Sequence, residues 1–204
     1  MRLYNSMGPN PQIVRTFAAE KGITLELVDV DVRRGENRQP PFLARNPLGQ
    51  LPALELDSGK IITEVLAICE LLEELHPQPA LVGNTAAERA ETRMWVRRFD
   101  LGVLELFMAG FRATAGRAFF AARMPLLSES AGAEVLGLMQ GNLRTFDGLL
   151  QGRTWVCGER FSLADIVLGA FLIFGRQTGA SLPDGLGWIP AWLDRCEARG
   201  TFTV

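Results

Sequence analysis

The 204-residue sequence has one histidine, one tyrosine and three cysteines. With His76 alone, a three-histidine zinc site is excluded, and a Ser-His-acid triad would have to recruit that residue. His76 lies in Glu73-Glu74-Leu75-His76-Pro77, where a helix is expected to end, and cationic or polar residues serve there as caps. Cys69, Cys157 and Cys196 are far apart, odd in number and form no C-x-x-C. They read as buried thiols in a reducing compartment, not as a zinc knuckle or a redox pair. The sequence also lacks an excess of either charge. Its formal net charge of -2 does not supply the basic surface that nucleic-acid binding needs. No apolar run is long enough to span a bilayer; the longest, around Ile166 to Phe174, is short and broken by Gly169. Met1-Arg2-Leu3-Tyr4-Asn5-Ser6 has no apolar h-region and no small-residue cleavage site. These absences set the expectation of a cytoplasmic protein with no metal, no nucleic-acid partner and no membrane partner.

What is present suffices for a packed core: 48% of the residues are hydrophobic and 22% are charged. The length lies between one large domain and two small ones. The first third alternates strand and helix signals. Leu3-Tyr4 opens a short strand. Asn10-Pro11 reads as an N-cap followed by proline, Ile13, Val14, Phe17 and Ala18 follow at helical spacing, and Gly22 ends the helix. Thr24 to Val30 alternates as a strand, and Arg33 to Asn46 reads as a loop with one short helix at most. A strand at Leu51–Leu56, turn chemistry at Asp57-Ser58-Gly59-Lys60, a partner strand at Lys60–Ile62 and an apolar helical face over Glu64–Leu75 complete the order β-α-β, β-β-α. That order is thioredoxin-like. Residues 78–85, opening on Gln78-Pro79, read as a linker, dividing a domain at 1–77 from one at 86–204. Beyond it no strand pattern recurs. Long helices are expected over Ala86–Ala109 and Glu134–Leu150, and a short one over Pro190–Arg199. Ser162 to Asp165 reads as a capping box, with Phe161 stapled against Ile166. The fold class is therefore α/β plus all-α: a thioredoxin-like N-terminal domain followed by a helical bundle.

Three stretches in this order resemble the cytosolic glutathione transferases. Asn46-Pro47-Leu48-Gly49-Gln50-Leu51-Pro52-Ala53-Leu54, preceded by the basic loop Gly35 to Arg45, is similar to the family's N-P-x-G-[QK]-[VL]-P-x-L. Glu64-Val65-Leu66-Ala67-Ile68 is similar to E-S-x-A-I, and the Ser162 capping box is carried in the family's helical domain. The resemblance implies a glutathione site. Pro52 would be cis and turn the Leu51 N–H and C=O toward the cysteinyl residue of the ligand as one more strand; read alone, it is a proline that begins a strand. The helix start at Glu64 and Val65 would take the γ-glutamyl carboxylate, with Glu64 facing the amine; read alone, Glu64 is an acid complementing a helix dipole. Val65 stands where the family usually has serine, a loss worth about 1.5–3 kcal/mol of affinity if nothing replaces the hydroxyl. Asn37 and Arg38, with Gln50, fall where relatives hold the glycine carboxylate; Arg38 also reads as a solvated loop arginine.

Glutathione chemistry needs a thiolate, and a free thiol titrates near pH 8.5, so a hydrogen-bond donor at the sulfur beside a helix N-terminus is required. In the family this donor is a Tyr, Ser or Cys near the first helix. Here the usual hydroxyl position falls on Gly8 and the beta-class cysteine position on Asn10. The segment is closest to the bacterial nu-class pattern T-P-N, with Gly8 for the threonine. Asn10 ranks first and Ser6 second as the sulfur contact, while Tyr4 is expected to point into the core. The alternative for Asn10 is an ordinary N-cap.

The resemblance implies transfer of the glutathione thiolate to a small hydrophobic electrophile. Two alternatives stand beside it: a glutathione-dependent disulfide reductase or peroxidase, suggested by the Asn-type site, and a non-catalytic glutathione-transferase-like binding protein. The second substrate is expected between the domains, walled by Met7, Phe107 and Phe111, with Met108 and Phe119 as further candidates; each also reads as helix core. A homodimer is implied, with Glu91, Arg93, Arg97, Arg98 and Asp100 as cross-subunit charges or as a solvated helix face.

Overall fold

A computed structural model describes residues 1–202 of the chain. It divides into two compact units, Met1–Asn84 together with residues 199–202, and Thr85–Ala198. In the first unit, β1 (Arg2–Asn5), α1 (Pro9–Glu20) and β2 (Glu26–Asp29) form the β-α-β portion; α2 (Pro40–Leu43), β3 (Ala53–Glu55), β4 (Ile61–Thr63) and α3 (Val65–Leu75) follow. The sheet order is β2-β1-β3-β4, with β1 parallel to β2 and antiparallel to β3, and β3 antiparallel to β4. Side chains alternate across it. Leu3 and Leu54, paired in register, are fully buried. Tyr4 and Ala53 face the other way, into a cluster with Val30 and Phe42. Tyr4 is buried as expected, its hydroxyl donating to Glu55 at 2.6 Å and its ring edge-on to Phe42.

The polar stretch Arg33–Asn46 holds two short helical turns, a 3-10 turn at Glu36–Arg38 and α2. Of residues 78–85, read from sequence as linker, 78–84 belong to the first unit, where a buried ion pair holds them, and Thr85 is the N-cap of the next helix. Lys21 Nζ donates to Glu73 at 2.7 Å and to the Pro79 carbonyl at 2.6 Å, and Glu73 accepts from the N–H groups of Leu81, Val82 and Gly83. The chain also returns to this unit at its end. Arg199 and Thr201 bind the Glu20 carboxylate, and the carbonyls of Thr201 and Phe202 accept from Thr16 and Gln12.

The second unit is all-helical: α4 (Ala86–Phe99), α5 (Glu105–Ala113), α6 (Arg117–Phe120), α7 (Glu129–Leu150), α8 (Leu163–Gln177) and α9 (Ile189–Ala198). The helix expected to run unbroken over Ala86–Ala109 is interrupted by a π-helical turn at Asp100–Leu104, where the Asn142 amide donates to the Gly102 carbonyl at 2.9 Å. The expected start at Glu134 lies too late: Ser128 caps α7 by accepting from the Ala131 N–H. Helix α8 is buried on nearly every side, the mark of a helix at the centre of a bundle. Its start carries the expected capping box and adds further bonds to it. Ser162 donates to Asp165 through both its N–H and its hydroxyl, and Asp165 also accepts from Val156 N–H and Trp192 Nε1. Burial pushes the Asp165 carboxyl up to about 6 against these donors.

Candidate functional site

The strand register fixes where the candidate residues emerge. Tyr4 pairs with Ala53 and Ala53 with Thr63. The segment after β1 (Ser6 to Asn10), the one before β3 (Leu51-Pro52) and the one after β4 (Glu64-Val65) therefore leave the sheet at the same end of its strands. All belong to the first unit, and each carries main-chain donors that the fold leaves unused.

Helix α1 begins at Pro9, not after Asn10, with Gly8 as its N-cap. The N-cap reading of Asn10 is thereby corrected: Asn10 is the second helical residue and makes no capping bond. Prolines at the first and third helical positions have no N–H, so only Asn10 keeps one there. No hydrogen bond among the described residues uses the Asn10 side chain, so its amide is available as a donor. Gly8 sits at φ 116, which L residues rarely adopt, although nothing lies within 4 Å of an added Cβ. A hydroxyl-bearing residue cannot occupy this backbone without strain, a physical reason for the departure from the family pattern at Gly8. Ser6 is half-buried and its hydroxyl donates to the adjacent Met7 carbonyl at 3.2 Å. Met7 is exposed.

The Leu51–Pro52 peptide is cis, as the resemblance implied. The Leu51 N–H and C=O have no partner among the described residues and lie one residue outside the β3 ladder, open to an added strand. The loop before them is braced. Asn37 Nδ2 donates to the Gly49 carbonyl at 2.7 Å, Arg38 Nη1 to the Leu48 carbonyl at 2.9 Å, and buried Asn46 to the Gln50 carbonyl at 2.8 Å. Asn37 and Arg38 thus have a bracing role that sequence reasoning missed. Gly49 allows it: at φ 63, a Cβ there would stand 2.7 Å from the Asn37 carbonyl oxygen. The Gln50 side chain is exposed.

Glu64 is the one non-glycine residue with positive φ among the described residues, at φ 68 and ψ 122. Such a conformation costs about 1–3 kcal/mol and gathers at ligand sites. Glu64 is exposed and its side chain caps nothing, which leaves the N–H groups of Val65, Leu66 and Ala67 open at the start of α3. An uncapped helix start with a partial positive charge is suited to a carboxylate.

The remaining candidates lie in the second unit. Phe107 is 4% exposed, stacks on Phe111 at 5.8 Å and meets Phe171 and Phe174 edge-on, so it belongs to the helical core. Phe111, Met108 and Phe119 are half-buried. Several charges considered for a subunit interface are engaged within the unit: Arg97 with Asp100 at 2.6 Å, Glu91 with Arg153 at 3.5 Å, and Arg98 over the Trp95 ring. Cys69, Cys157 and Cys196 are buried and form no disulfide among the described residues, and burial raises the Cys69 and Cys157 thiols. Among the described residues no cluster of His, Cys, Asp or Glu could hold a metal, and no helix is long and apolar enough to cross a membrane.

Comparison with known proteins agrees with this geometry. Residues 1–74 match the family profile described as glutathione S-transferase, N-terminal domain, and residues 111–200 match glutathione S-transferase, C-terminal domain. The chain is 34% identical to glutathione S-transferase 2 of Saccharomyces cerevisiae, covering 94% of this chain and 83% of that protein. It is 32% identical to maleylacetoacetate isomerase of Pseudomonas aeruginosa, over 83% of this chain and 78% of that one. The crystal structure of Gtt2 from Saccharomyces cerevisiae superposes with a TM-score of 0.91 at 31% identity, covering 99% of this chain and 98% of that chain. A glutathione S-transferase domain-containing protein of Marinobacter aquaeolei gives 0.92 at 33% identity over the whole of both chains.

Proposed function

The chain belongs to the glutathione S-transferase family, and on that premise we propose that it adds the glutathione thiolate to a small hydrophobic electrophile. One observation carries this reading: three chain segments at one end of the sheet each present donors unused among the described residues. The Leu51 main chain would pair with the cysteinyl residue. The open start of α3 would take the γ-glutamyl carboxylate, with Glu64 toward the amine. The Asn10 amide and N–H would donate to the sulfur and favour its ionised form. Asn10 cannot accept the thiol proton, so in this reading the proton leaves to solvent before attack. Arg38, which has donors beyond the one given to Leu48, and Gln50 would serve the glycine carboxylate. Met7, exposed within the same segment, would meet the acceptor.

A second reading, glutathione-dependent reduction of a disulfide or peroxide, uses the same donors and differs only in the electrophilic atom. Its support is the Asn10 amide at the position of the beta-class cysteine, with Gly8 at the usual hydroxyl position. Assays of one preparation against an aromatic halide, a mixed disulfide and an organic peroxide separate the two. Turnover of the halide that saturates in glutathione is expected; turnover of the disulfide or peroxide alone would overturn the first reading. Absence of all three would leave a binding protein. A cytoplasmic homodimer fits the family and the exposed Met94 and Leu101 on and after α4; light scattering on the purified chain tests it.

A further inference from the structure

Arg15 has a place in this site that none of the motif stretches suggests. It lies in the middle of α1, and helical side chains lean toward the helix N-terminus. Its guanidinium accordingly reaches back to the segment that carries the proposed sulfur contact. Nη1 donates to Asn5 Oδ1, and at a longer 3.4 Å to the main-chain carbonyl of Ser6. Asn5 is held in turn by Asp29: its Nδ2 donates to Asp29 Oδ1 at 2.7 Å. Asn5 and Asp29 are register partners at the ends of the parallel strands β1 and β2. The amide of Asn5 is thus fixed with its nitrogen toward the carboxylate and its oxygen toward Arg15. The result is a relay from strand end to strand end to helix, closing on the carbonyl that begins Ser6-Met7-Gly8-Pro9-Asn10.

Two features suggest more than incidental packing. Arg15 is half-buried and makes no ion pair within 4 Å among the described residues; Asp29 attracts it across a longer distance, with the Asn5 amide bridging the two. Burial lowers its pKa, as expected of a cation that has given up solvent without a contacting carboxylate. In addition, the start of α1 is poor in donors, because two of its first three residues are prolines. Of the first three helical positions only Asn10 offers donors, so their use depends on the segment being held in one position, since geometry decides whether a hydrogen bond forms.

We propose that Arg15 is a positioning residue for thiol activation: through the Asn5–Asp29 relay and the Ser6 carbonyl it fixes the Ser6–Asn10 segment so that the Asn10 donors meet the glutathione sulfur. This rests on the reading of Asn10 under Proposed function.

The test uses the full chain and glutathione itself. In Arg15→Gln, kcat with an aromatic halide should fall about tenfold and the pH at which bound glutathione shows thiolate absorbance should rise by about one unit. KM for glutathione should change less than about threefold, because Leu51 and the α3 start are untouched. Asn5→Ala, which leaves the Arg15 charge in place, should move both in the same direction. Arg15→Lys should restore part of the loss, since it keeps the charge but not the forked donor. A merely structural arginine would change thermal stability without moving the thiolate titration. Amide hydrogen exchange over residues 6–10, measured without ligand, reads the clamp independently of any reaction. Faster exchange in Arg15→Gln or Asn5→Ala is expected even if no turnover is found, a result that would count against the proposed function and not against the clamp. Unchanged exchange in folded Arg15→Gln, or in Asn5→Ala where the former does not fold, would overturn the proposal. So would an unchanged thiolate titration with normal kcat.

Discussion

The two units begin their long helices in opposite ways. In the second unit, each helix of ten or more residues has its first turn closed by a side chain. Thr85 and Glu88 cap each other's N–H groups at α4, Ser128 caps α7, and Asp165 binds the Ser162 N–H at α8. Asp147, reaching from α7, accepts from the Gly187, Trp188 and Ile189 N–H groups at α9. In the first unit, neither α1 nor α3 has a side-chain cap; one starts at a positive-φ glycine and the other at a positive-φ glutamate. Closing a helix start stabilises the fold by about 0.5–2 kcal/mol and ends its use as an anion site. Leaving it open gives up that stability and keeps the site. The second unit has taken the first option throughout, and the first unit has taken the second at the two helix starts proposed to meet glutathione.

Breaking the best-closed start should have the largest effect. Asp165→Ala leaves buried Val156 N–H, Ser162 N–H and Trp192 Nε1 without an acceptor, and should cost about 3–5 kcal/mol in urea unfolding. The same carboxylate gives the comparison a pH signature. Its folded pKa of about 6 stands above the ordinary 3.8, so between those values the folded state holds a proton that the unfolded state has released. Stability from this group is therefore fully present below the unfolded value and is lost as pH rises through 6. Unfolding free energies at pH 4 and pH 7 should differ by roughly 2–3 kcal/mol more in the parent than in Asp165→Asn, the parent losing stability on the way up. An identical slope in both would show that the four donors hold the group ionised.

An open start should respond to mutation in activity and not in stability. Asn10→Ala removes a side chain that caps nothing. We expect a melting temperature within a degree or so of the parent, and a 10- to 100-fold loss in kcat/KM for glutathione conjugation, as about 1.5–3 kcal/mol of charge-assisted hydrogen bonding would give. A stability loss without an activity loss would place Asn10 with the capping residues of the second unit.

Legibility in the sequence follows the same division. The closed starts are written in short-range chemistry: Ser162 and Asp165 sit three apart before an apolar run, and the box was readable, although which atom donates was not. The start of α7 was missed because Ser128-Glu129-Ser130 carries no apolar signal before the helical face begins. The proposed glutathione contacts at Leu51-Pro52 and Glu64-Val65 come from motif order, since each pair is adjacent in sequence. Residues acting across the fold were not. Asn37 and Arg38 brace Gly49 and Leu48 about ten positions away, and Arg15 depends on Asp29 through Asn5. Nothing in local spacing brings those partners together; the sheet register does. The π-helical turn at Asp100–Leu104 has no sequence signal of its own, because it is set by packing against α7.

The smallest effect is expected where the open start carries its own strain. Glu64 is exposed, makes no capping bond and holds φ 68. Glycine adopts positive φ freely, so Glu64→Gly should raise unfolding stability by about 1 kcal/mol. If the strain serves to aim the α3 start and the Glu64 carboxylate at glutathione, the same variant should raise KM for glutathione. Glu64→Gln, which keeps the backbone and removes only the charge, should raise KM without changing stability. Chemical denaturation and initial-rate kinetics on both variants separate the two contributions. A Glu64→Gly protein that gains stability and keeps its KM would mean that the strained turn does not serve the ligand, and the contrast between the units would then rest on the absence of caps alone.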